Sequence, residues 1–365
     1  MSHLNSTRGG WMDSKLSLVM IVKDEERALE RCLKSIHGIV DEIIMVDTGS
    51  TDNTVEIAKS FGANVYDFQW VNDFSEARNF GLSKASHNYR LILDADEYII
   101  KWDSNEINKL IQQNEIGIIT RIDEFKQNGE IKQTKGYLSR VIPPDTYYTG
   151  AIHEQVDSTL NRVRVAVEIG HDGYLYEDKA ERNLSILYKA IEQDPNDSYM
   201  LYQLAHTLFV SKHSKEAHQY YQAYYKLSKP NESYRCGAVV DYLYNLIELG
   251  QLEEGLILIT QEEKRYSDSP DFYFVCGHFF RELVLSDINK YIQFLPRIET
   301  SFLKCLEIGE TTRYDSVVGT GSYQAAYNLG AWYEVVGEID KAKNYYNMAA
   351  TQGYREAIQR LSVLQ

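Results

Sequence analysis

The stretch Leu91-Ile92-Leu93-Asp94-Ala95-Asp96-Glu97 decides the fold of the first half of this chain. A strand-like apolar run, 89–93, ends here in two carboxylates that are one residue apart. Carboxylates at a strand end are ligands of the kind that Mg²⁺ or Mn²⁺ takes, with substrate phosphates completing the shell. Asp-x-Asp also occurs in solvated turns, so the interpretation of Asp94 and Asp96 as metal ligands depends on what surrounds them.

The segments around this stretch alternate between strand and helix patterns. Continuous apolar runs predict strands that are buried on both faces, and apolar residues at helical spacing predict the helices between them. The predicted strands are 16–22, 42–46 and 65–68, and the predicted helices are 25–37, 54–61 and 75–85 with Ser75 as N-cap. This alternation predicts an α/β domain with a parallel sheet, whose ligands bind at the carboxyl ends of the strands.

A different pattern begins after about residue 115. Asn128-Gly129 lies between two strand-like segments and predicts a hairpin turn. Antiparallel strands are expected to continue to about residue 170.

From about residue 178 the chain is helical and repetitive. The spacing of small and aromatic residues after Ala325 fits the 34-residue tetratricopeptide pattern. The residues concerned are Ala325, Ala326, Tyr327, Asn328, Leu329, Gly330, Tyr333, Gly337, Ala342, Tyr346 and Ala349. Looser copies begin near Leu204 and Leu243. We predict a disordered N-terminus at 1–14, the α/β domain at 15–178 and an all-α repeat domain at 179–365.

Bulk composition narrows the class of partner. A formal net charge of −15 argues against nucleic acid, because phosphate binding needs clustered Lys and Arg. No apolar run reaches the roughly 18 residues that a bilayer span requires. The four cysteines are scattered without a C-x-x-C pair, which is typical of a reduced, cytoplasmic protein.

Four ordered segments carry a resemblance to a known family. They are Leu16-Ser17-Leu18-Val19-Met20-Ile21-Val22-Lys23-Asp24-Glu25, Asp47-Thr48-Gly49-Ser50-Thr51-Asp52, Asp73-Phe74-Ser75-Glu76-Ala77-Arg78-Asn79 and Asp94-Ala95-Asp96-Glu97. Together they resemble family-2 glycosyltransferases of the GT-A fold. The later segment Thr149-Gly150-Ala151-Ile152-His153-Glu154-Gln155 and the repeats resemble one bacterial subgroup, the peptide S-/O-glycosyltransferases of the bacteriocin (sublancin-type glycocin) group.

The resemblance implies a UDP-sugar donor and a nucleotide site. Asp47 would read uracil, a role that also suits a carboxylate beside a strand end. Asp24 or Glu25 would lie near the uridine, Arg78 by the nucleotide, and Ser50 in the same nucleotide-binding segment as Asp47. Many relatives carry Asn where this chain has Asp24, which leaves the uridine contacts open. Neither G-x-G-x-x-G nor a P-loop is present to bind the phosphates.

The resemblance also implies a divalent cation, Mg²⁺ or Mn²⁺. Asp94 and Asp96 would bind the ribose and the metal. His171 lies between Gly170 and Gly173, which indicates a site loop, and it would be a third metal ligand.

Glu154 and His153 are the candidates for the base that deprotonates the acceptor in an inverting transfer. Adjacent residues of an extended segment point to opposite faces, so one of the two is expected to face the sugar. Glu154 is the favoured base by analogy with the carboxylate that this fold supplies, and His153 stays open.

The expected activity is transfer of glucose or N-acetylglucosamine to a Cys or Ser/Thr side chain of a peptide, with a homodimer formed through the helical domain. An alternative keeps the chemistry and makes the acceptor a saccharide or a lipid-linked sugar. A nucleotidyltransferase would carry a Gly-rich, Arg-containing loop after the first strand, which Lys23-Asp24-Glu25-Glu26-Arg27 is not. A repeat scaffold with an inactive transferase domain is disfavoured by the intact Asp94, Asp96 and His171.

Overall fold

The chain divides into two compact units in a computed structural model. The described residues are 15–127, 130–173 and 180–364. Of these, 15–122 and 137–173 form the first unit, and 123–127, 130–136 and 180–364 form the second. The predicted disordered N-terminus, the Asn128-Gly129 turn and the predicted boundary at 178/179 lie outside the described residues.

The first unit is a mixed sheet flanked by helices. Its strands are β1 (Leu16–Val22), β2 (Glu42–Asp47), β3 (Asn64–Asp67), β4 (Tyr89–Ile92), β5 (Glu97–Lys101), β6 (Ile116–Gln127), β7 (Glu130–Ile142), β8 (Tyr147–Thr149), β9 (Gln155–Asp157) and β10 (Arg162–His171), of which β6 after residue 122 and β7 before residue 137 belong to the second unit. Its helices are α1 (Leu29–Ser35), α2 (Thr54–Ser60), α3 (Phe74–Lys84) and α4 (Ser104–Gln113). The strand order is β3-β2-β1-β4-β7-β6-β10-β5, while β8 and β9 form a separate hairpin.

Strands β3, β2, β1 and β4 are parallel, as the alternating pattern predicts. β7 then runs antiparallel to β4, and β5 pairs antiparallel with β10. The sequence interpretation did not include β5, a short strand directly after the Asp-x-Asp segment.

Burial of β1 explains why its sequence is a continuous apolar run. Leu18 and Met20 pack into a core cluster that includes Leu29 of α1. Val19 belongs to a second cluster, together with Leu82 of α3. Because successive strand residues point to opposite faces, both faces of β1 are covered and every position favours an apolar side chain.

The N-cap of helix α3 lies two residues before the predicted cap, Ser75. Asp73 is the N-cap, and its side chain accepts a hydrogen bond from the backbone N–H of Glu76. Ser75 instead donates its hydroxyl to Asp73 at 2.7 Å. The helix approaches the sheet closely at Gly81, where a Cβ would lie 2.8 Å from Val19 Cγ1.

The second unit is built from helix pairs. Its helices are α5 (Ala180–Gln193), α6 (Ser198–Val210), α7 (Ser214–Leu227), α8 (Arg235–Leu249), α9 (Leu252–Glu262), α10 (Pro270–Ser286), α11 (Ile288–Tyr291), α12 (Leu295–Ile308), α13 (Tyr323–Val335), α14 (Ile339–Ala350) and α15 (Arg355–Val363). A 3₁₀ turn (Ile292–Phe294) precedes α12, and β11 (Ser316–Val317) pairs with Thr134 and Lys135 of β7.

Side-chain hydrogen bonds recur at the repeat period. Ser198 donates to Glu232 and Ser214 to Glu248, each 34 residues further along the chain. Gly330 lies against the ring of Tyr346, where a Cβ would come within 2.5 Å. The predicted tetratricopeptide-like character of this unit is thus confirmed. No helix in the described part of the chain is long and apolar enough to cross a membrane.

Candidate active site

The predicted site residues of the first unit gather at one edge of its sheet. β1, β2 and β4 are parallel, so their carboxyl ends meet there. Asp24 follows β1, Asp47 ends β2, and Asp94 follows β4. This is the edge at which the strand order of the sequence predicts a bound ligand.

The loop after β2 is held by its own carboxylate. Asp47 is buried and accepts hydrogen bonds from the backbone N–H groups of Gly49 and Ser50 and from the Ser50 hydroxyl. The shortest of these, from Ser50 Oγ, is 2.6 Å. A carboxylate offers about four lone-pair positions, so Asp47 retains acceptor capacity beyond these three donors.

The loop after β1 is joined to the loop after β2. Asp24 has the left-handed φ of 55°, and its Oδ1 accepts the backbone N–H of Thr51 at 2.7 Å. The backbone N–H of Asp24 donates to Ser50 Oγ at 3.0 Å, and that of Glu25 donates to Thr54 Oγ1 at 2.7 Å. These bonds fix Asp24, Glu25, Asp47 and Ser50 in one rigid pair of loops.

Arg78 of α3 is the centre of a buried ion-pair network. Its Nη2 donates to Asp94 Oδ1 at 2.8 Å, and its Nε pairs with Glu154. Burial opposes the charge on Arg78, but the carboxylates of Asp94 and Glu154 outweigh it and raise the pKa of Arg78. The remaining nitrogen, Nη1, is buried and has no hydrogen-bond acceptor among the described residues. A buried donor without an acceptor in the protein is available to a water or a ligand atom.

Asp94 is held from a second side by Arg140 of β7. Arg140 Nη2 donates to Asp94 Oδ2 at 2.9 Å and to Glu97 Oε1 at 3.2 Å. Burial opposes ionisation of Asp94, but the guanidinium groups of Arg78 and Arg140 outweigh it, so the pKa of Asp94 lies well below its ordinary value. Asp94 is therefore anionic at neutral pH.

Asp96, two residues beyond Asp94, faces His171 at the end of β10. His171 Nε2 lies 3.3 Å from Asp96 Oδ2. A Cβ on Gly173 would lie 2.2 Å from the same Oδ2 and 2.7 Å from the same Nε2, so this position leaves space only while it is glycine. A carboxylate oxygen and an imidazole nitrogen that border one small space fit a divalent cation.

A second layer supports this pair. Asp172, adjacent to His171, forms a bidentate ion pair with Arg31 of α1 at 2.7 and 2.8 Å. Arg31 Nη2 also reaches the backbone carbonyl of Asp96 at 3.4 Å. Groups of three His, Cys, Asp or Glu side chains with metal-binding geometry do not occur among the described residues.

The expectation that His153 and Glu154 lie in an extended segment is wrong. They lie in the bend that joins β8 to β9, and His153 has the left-handed φ of 52°. α3 holds this hairpin: Asn79 donates to the carbonyl of Tyr148 at 2.9 Å and accepts the Tyr148 N–H at 2.8 Å. The alternation argument for choosing between the two candidate bases does not apply to a bend, and Glu154 is the one that pairs with Arg78.

Several residues of the site were not singled out from the sequence: Asn79, Glu97, Arg140, Tyr148 and Asp172. Asn79 and Glu97 lie within the family motifs quoted above, but functional roles were predicted only for their neighbours in those motifs. Arg140 is a charged residue in an otherwise apolar strand end, Ser139-Arg140-Val141-Ile142, and such a residue is buried only with partners. That pattern is the signal from which it could have been found.

Comparisons with known proteins identify the family that this chain resembles. Residues 17–166 match the model of glycosyl transferase family 2. A TPR repeat-containing protein of Synechococcus elongatus is 32% identical over 251 residues, which cover 64% of this chain and 61% of that protein. SunS of Bacillus subtilis, an SPbeta prophage-derived glycosyltransferase, is 26% identical over 218 residues, covering 55% of this chain and 51% of SunS. An uncharacterized glycosyltransferase of Rickettsia typhi is 38% identical over 93 residues, covering 26% of this chain and 32% of that protein.

The sheet, its carboxyl-edge site and the family match agree that the first unit resembles a glycosyltransferase domain. Residues 17–166 resemble glycosyl transferase family 2, and the chain joins this domain to tetratricopeptide-like repeats, as the sequence motifs predict. The chain spans between about a third and 61% of the length of these three relatives.

Proposed function

We propose that the chain is an inverting glycosyltransferase that depends on a divalent cation, Mg²⁺ or Mn²⁺, and uses a UDP-sugar. The sugar would be glucose or N-acetylglucosamine, and the acceptor a Cys or Ser/Thr side chain of a peptide, such as a bacteriocin precursor. The observation that carries the proposal is the Asp96–His171 pair across the open position of Gly173, at the same sheet edge as the arginine-held Asp94. The peptide acceptor rests on the resemblance of the 149–155 segment and the repeats to the bacteriocin group.

The loops after β1 and β2, which hydrogen bonds join to each other, would bind the donor nucleotide. Asp47 would accept the uracil N–H with its remaining lone pair, and Asp24, Glu25 and Ser50 would lie around the uridine. Since these loops are fixed by their own hydrogen bonds, binding would cost little ordering entropy. Arg78 Nη1, a buried donor, would bind an oxygen of the diphosphate.

Asp96 and His171 would hold the cation, with Asp94 beside them to bind the ribose or the same ion. Mg²⁺ and Mn²⁺ are commonly bound by one or two protein ligands and completed by substrate phosphates. When bound, the cation supplies a counter-charge for the diphosphate as it leaves.

Transfer would proceed by attack of the acceptor sulfur or oxygen on the anomeric carbon, from the face opposite UDP. The bond from that carbon to the diphosphate oxygen breaks, and its electron pair leaves with UDP. The acceptor proton goes to Glu154, or to His153, which lies in the same bend. A thiol acceptor needs less help from this base, because its pKa near 8.5 supplies some thiolate at neutral pH.

The helical unit would bind the acceptor peptide, assemble a homodimer, or both. Stacked helix pairs provide extended surfaces for partners. Tyrosine supplies rigid contact area of the kind enriched at interfaces, and Tyr188, Tyr220 and Tyr345 of this unit are only partly buried.

The decisive test replaces Asp96 by Ala and follows UDP-sugar hydrolysis and peptide glycosylation by mass spectrometry across a panel of donors. Loss of supporting residues around a metal costs roughly 10–100-fold, so loss of a ligand should reduce transfer by at least about 100-fold. Glu56→Ala, at an exposed position of α2, is the control and should retain activity.

Two outcomes would contradict the proposal. Undiminished transfer in excess EDTA would exclude the cation. Glycosylation of a saccharide or lipid-linked acceptor, with peptides left unmodified, would replace the peptide acceptor by the alternative one.

A further inference from the structure

A single buried guanidinium joins the two ends of the Asp-x-Asp turn. Arg140 is 7% exposed, and burying a charge is costly unless it is paired. Its Nη2 bridges Asp94 Oδ2 at 2.9 Å and Glu97 Oε1 at 3.2 Å. Arg140 therefore contacts the first and the last residue of the segment that carries Asp96.

The turn is also closed by its own hydrogen bonds. The backbone N–H of Glu97 donates to the carbonyl of Asp94 at 3.0 Å, and the backbone N–H of Asp94 donates to Glu97 Oε2 at 2.9 Å. Glu97 is fully buried. Its carboxylate can hold the turn only while a cation compensates its charge, and Arg140 is the nearer of the two arginines that pair with it.

The direction of Asp96 depends on this turn. Asp96 lies between the two residues that Arg140 fixes, and its carboxylate is aimed at His171 Nε2, 3.3 Å away. Arg78 holds Asp94 through the other oxygen, Oδ1, at 2.8 Å. Without Arg140, Asp94 would keep that partner, but Glu97 would lose its closest one and the turn would lose the bridge between its ends.

We propose that Arg140 is a positioning residue of the transferase site. It fixes the Asp94–Glu97 turn so that the Asp96 carboxylate stays opposite His171, ready for the divalent cation. This role rests on the proposed function, since it presupposes a cation at Asp96, and it assigns that function a residue outside the four family motifs and the 149–155 segment.

A purely structural role for Arg140 predicts a different effect of replacing Arg121. If Arg140 only neutralises Glu97, then Arg121, which pairs with the same Glu97 Oε1 at 3.5 Å, should matter in the same way. Arg121 lies on β6, is partly exposed and pairs with Glu97. Arg121→Met is therefore the matched control for Arg140→Met.

The readout is affinity for Mn²⁺ in the presence of UDP, measured on the full chain by the electron paramagnetic resonance signal of free Mn²⁺. This measurement needs no turnover. Arg140→Met should weaken Mn²⁺ binding by roughly 10–100-fold, the range found when second-layer partners of a metal site are removed. Arg121→Met should stay within about twofold of the unmodified protein, and circular dichroism should show that both variants are folded.

Arg140→Lys serves if the methionine variant does not fold. It keeps a buried positive charge but replaces the planar guanidinium, which bridges Asp94 and Glu97, by an ammonium group with a different geometry. The affinity for Mn²⁺ should therefore still fall. Unchanged affinity in a folded Arg140 variant would overturn the positioning role, and so would an equal loss in Arg121→Met. Failure of the unmodified chain to bind Mn²⁺ with UDP would instead overturn the proposed function itself.

Discussion

Asp94 and Glu97 show how position, rather than residue type, sets the behaviour of a buried carboxyl group. Both contact Arg140. Burial opposes ionisation of Asp94 too, but Arg78 and Arg140 together outweigh it and lower its pKa. Glu97 lies deeper, beside the negative Asp94, and burial raises its pKa despite Arg140. The sequence marks both as acidic residues of one motif and cannot show this division.

At the scale of single residues, the sequence could predict those residues that motifs place at strand ends. Asp24, Asp47 and Asp94 were expected at one sheet edge because parallel strands bring their ends together, and the structure has them there. Contacts between distant segments were not predictable. Arg140 is 46 residues from Asp94, and nothing in the local pattern indicates that β7 lies beside β4.

Glu154→Gln tests the base at the scale of a single residue. Glutamine can still accept the hydrogen bond from Arg78 Nε but cannot take a proton. The rate should therefore fall by roughly 10²–10⁴ for a hydroxyl acceptor. For a thiol acceptor the loss should shrink as pH rises towards about 8.5, since thiolate then forms without a base. Single-turnover rates across pH give both numbers.

The matched comparison is His153→Ala. A normal rate in Glu154→Gln, together with a rate lowered at least about 100-fold in His153→Ala, would transfer the role of base to His153.

At the scale of elements, the structure explains why strands and helices of the first unit were largely predictable while the 149–155 segment was not. Apolar periodicity fixes β1, β2 and α1, because their burial is local to the sheet and its flanking helices. The β8–β9 bend depends on contacts from α3: Asn79 clamps Tyr148, and the N–H of Phe74 donates to the carbonyl of Ala151 at 2.8 Å. Such long-range clamps leave no periodic pattern in the segment they shape.

Asp271 makes the stability of the helical unit depend on pH. It lies near the start of α10 and accepts hydrogen bonds from Ser316 Oγ at 2.5 Å and from the backbone N–H of Val317 at 3.0 Å, both in β11. Burial raises its pKa from 3.8 to about 6, although these bonds oppose the shift. Between those values the folded state binds more protons than the unfolded state, so this group's contribution is lost as pH rises.

The expected contribution is about 3 kcal/mol, fully present below about pH 4 and lost above about pH 6. Asp271→Asn removes the titration and keeps an acceptor for Ser316. Urea unfolding of the variant and the unmodified protein at pH 4, 5, 6 and 7 should give a difference in unfolding free energy that changes by about this amount. Parallel pH curves for the two proteins would contradict the prediction.

At the scale of the whole chain, two units follow different sequence rules, and both rules were readable. The first unit follows the strand–helix alternation of an α/β sheet, with motifs at strand ends. The second follows a 34-residue spacing. In the structure, side-chain hydrogen bonds join residues that are 34 positions apart, such as Tyr333 and Glu299. The assignment of residues 123–127 and 130–136, in β6 and β7, to the second unit was not predictable, because neither strand-like segment carries a signal that marks a change of unit.

The last prediction concerns the proposed homodimer. Val335, at the end of α13, is 83% exposed, and it borders a depression between helices of the last repeats. The depression is lined by Tyr327, Ala331, Glu334, Val335, Tyr346 and Arg360. An exposed valine beside aromatic side chains is a surface that a second copy could cover. In a two-fold interface each substitution acts twice, so Val335→Glu should weaken dimerisation by at least about 100-fold, since burying one valine contributes about 1.5 kcal/mol or more. Sedimentation velocity over a range of concentrations measures this, and Ile288→Glu, on exposed α11, is the control that should leave the dimer intact.

An unmodified chain that stays monomeric at all concentrations would contradict the homodimer. A Val335→Glu variant that dimerises normally would move the interface away from α13, and an unchanged KM for the acceptor peptide in that variant would show that this face does not bind the peptide either.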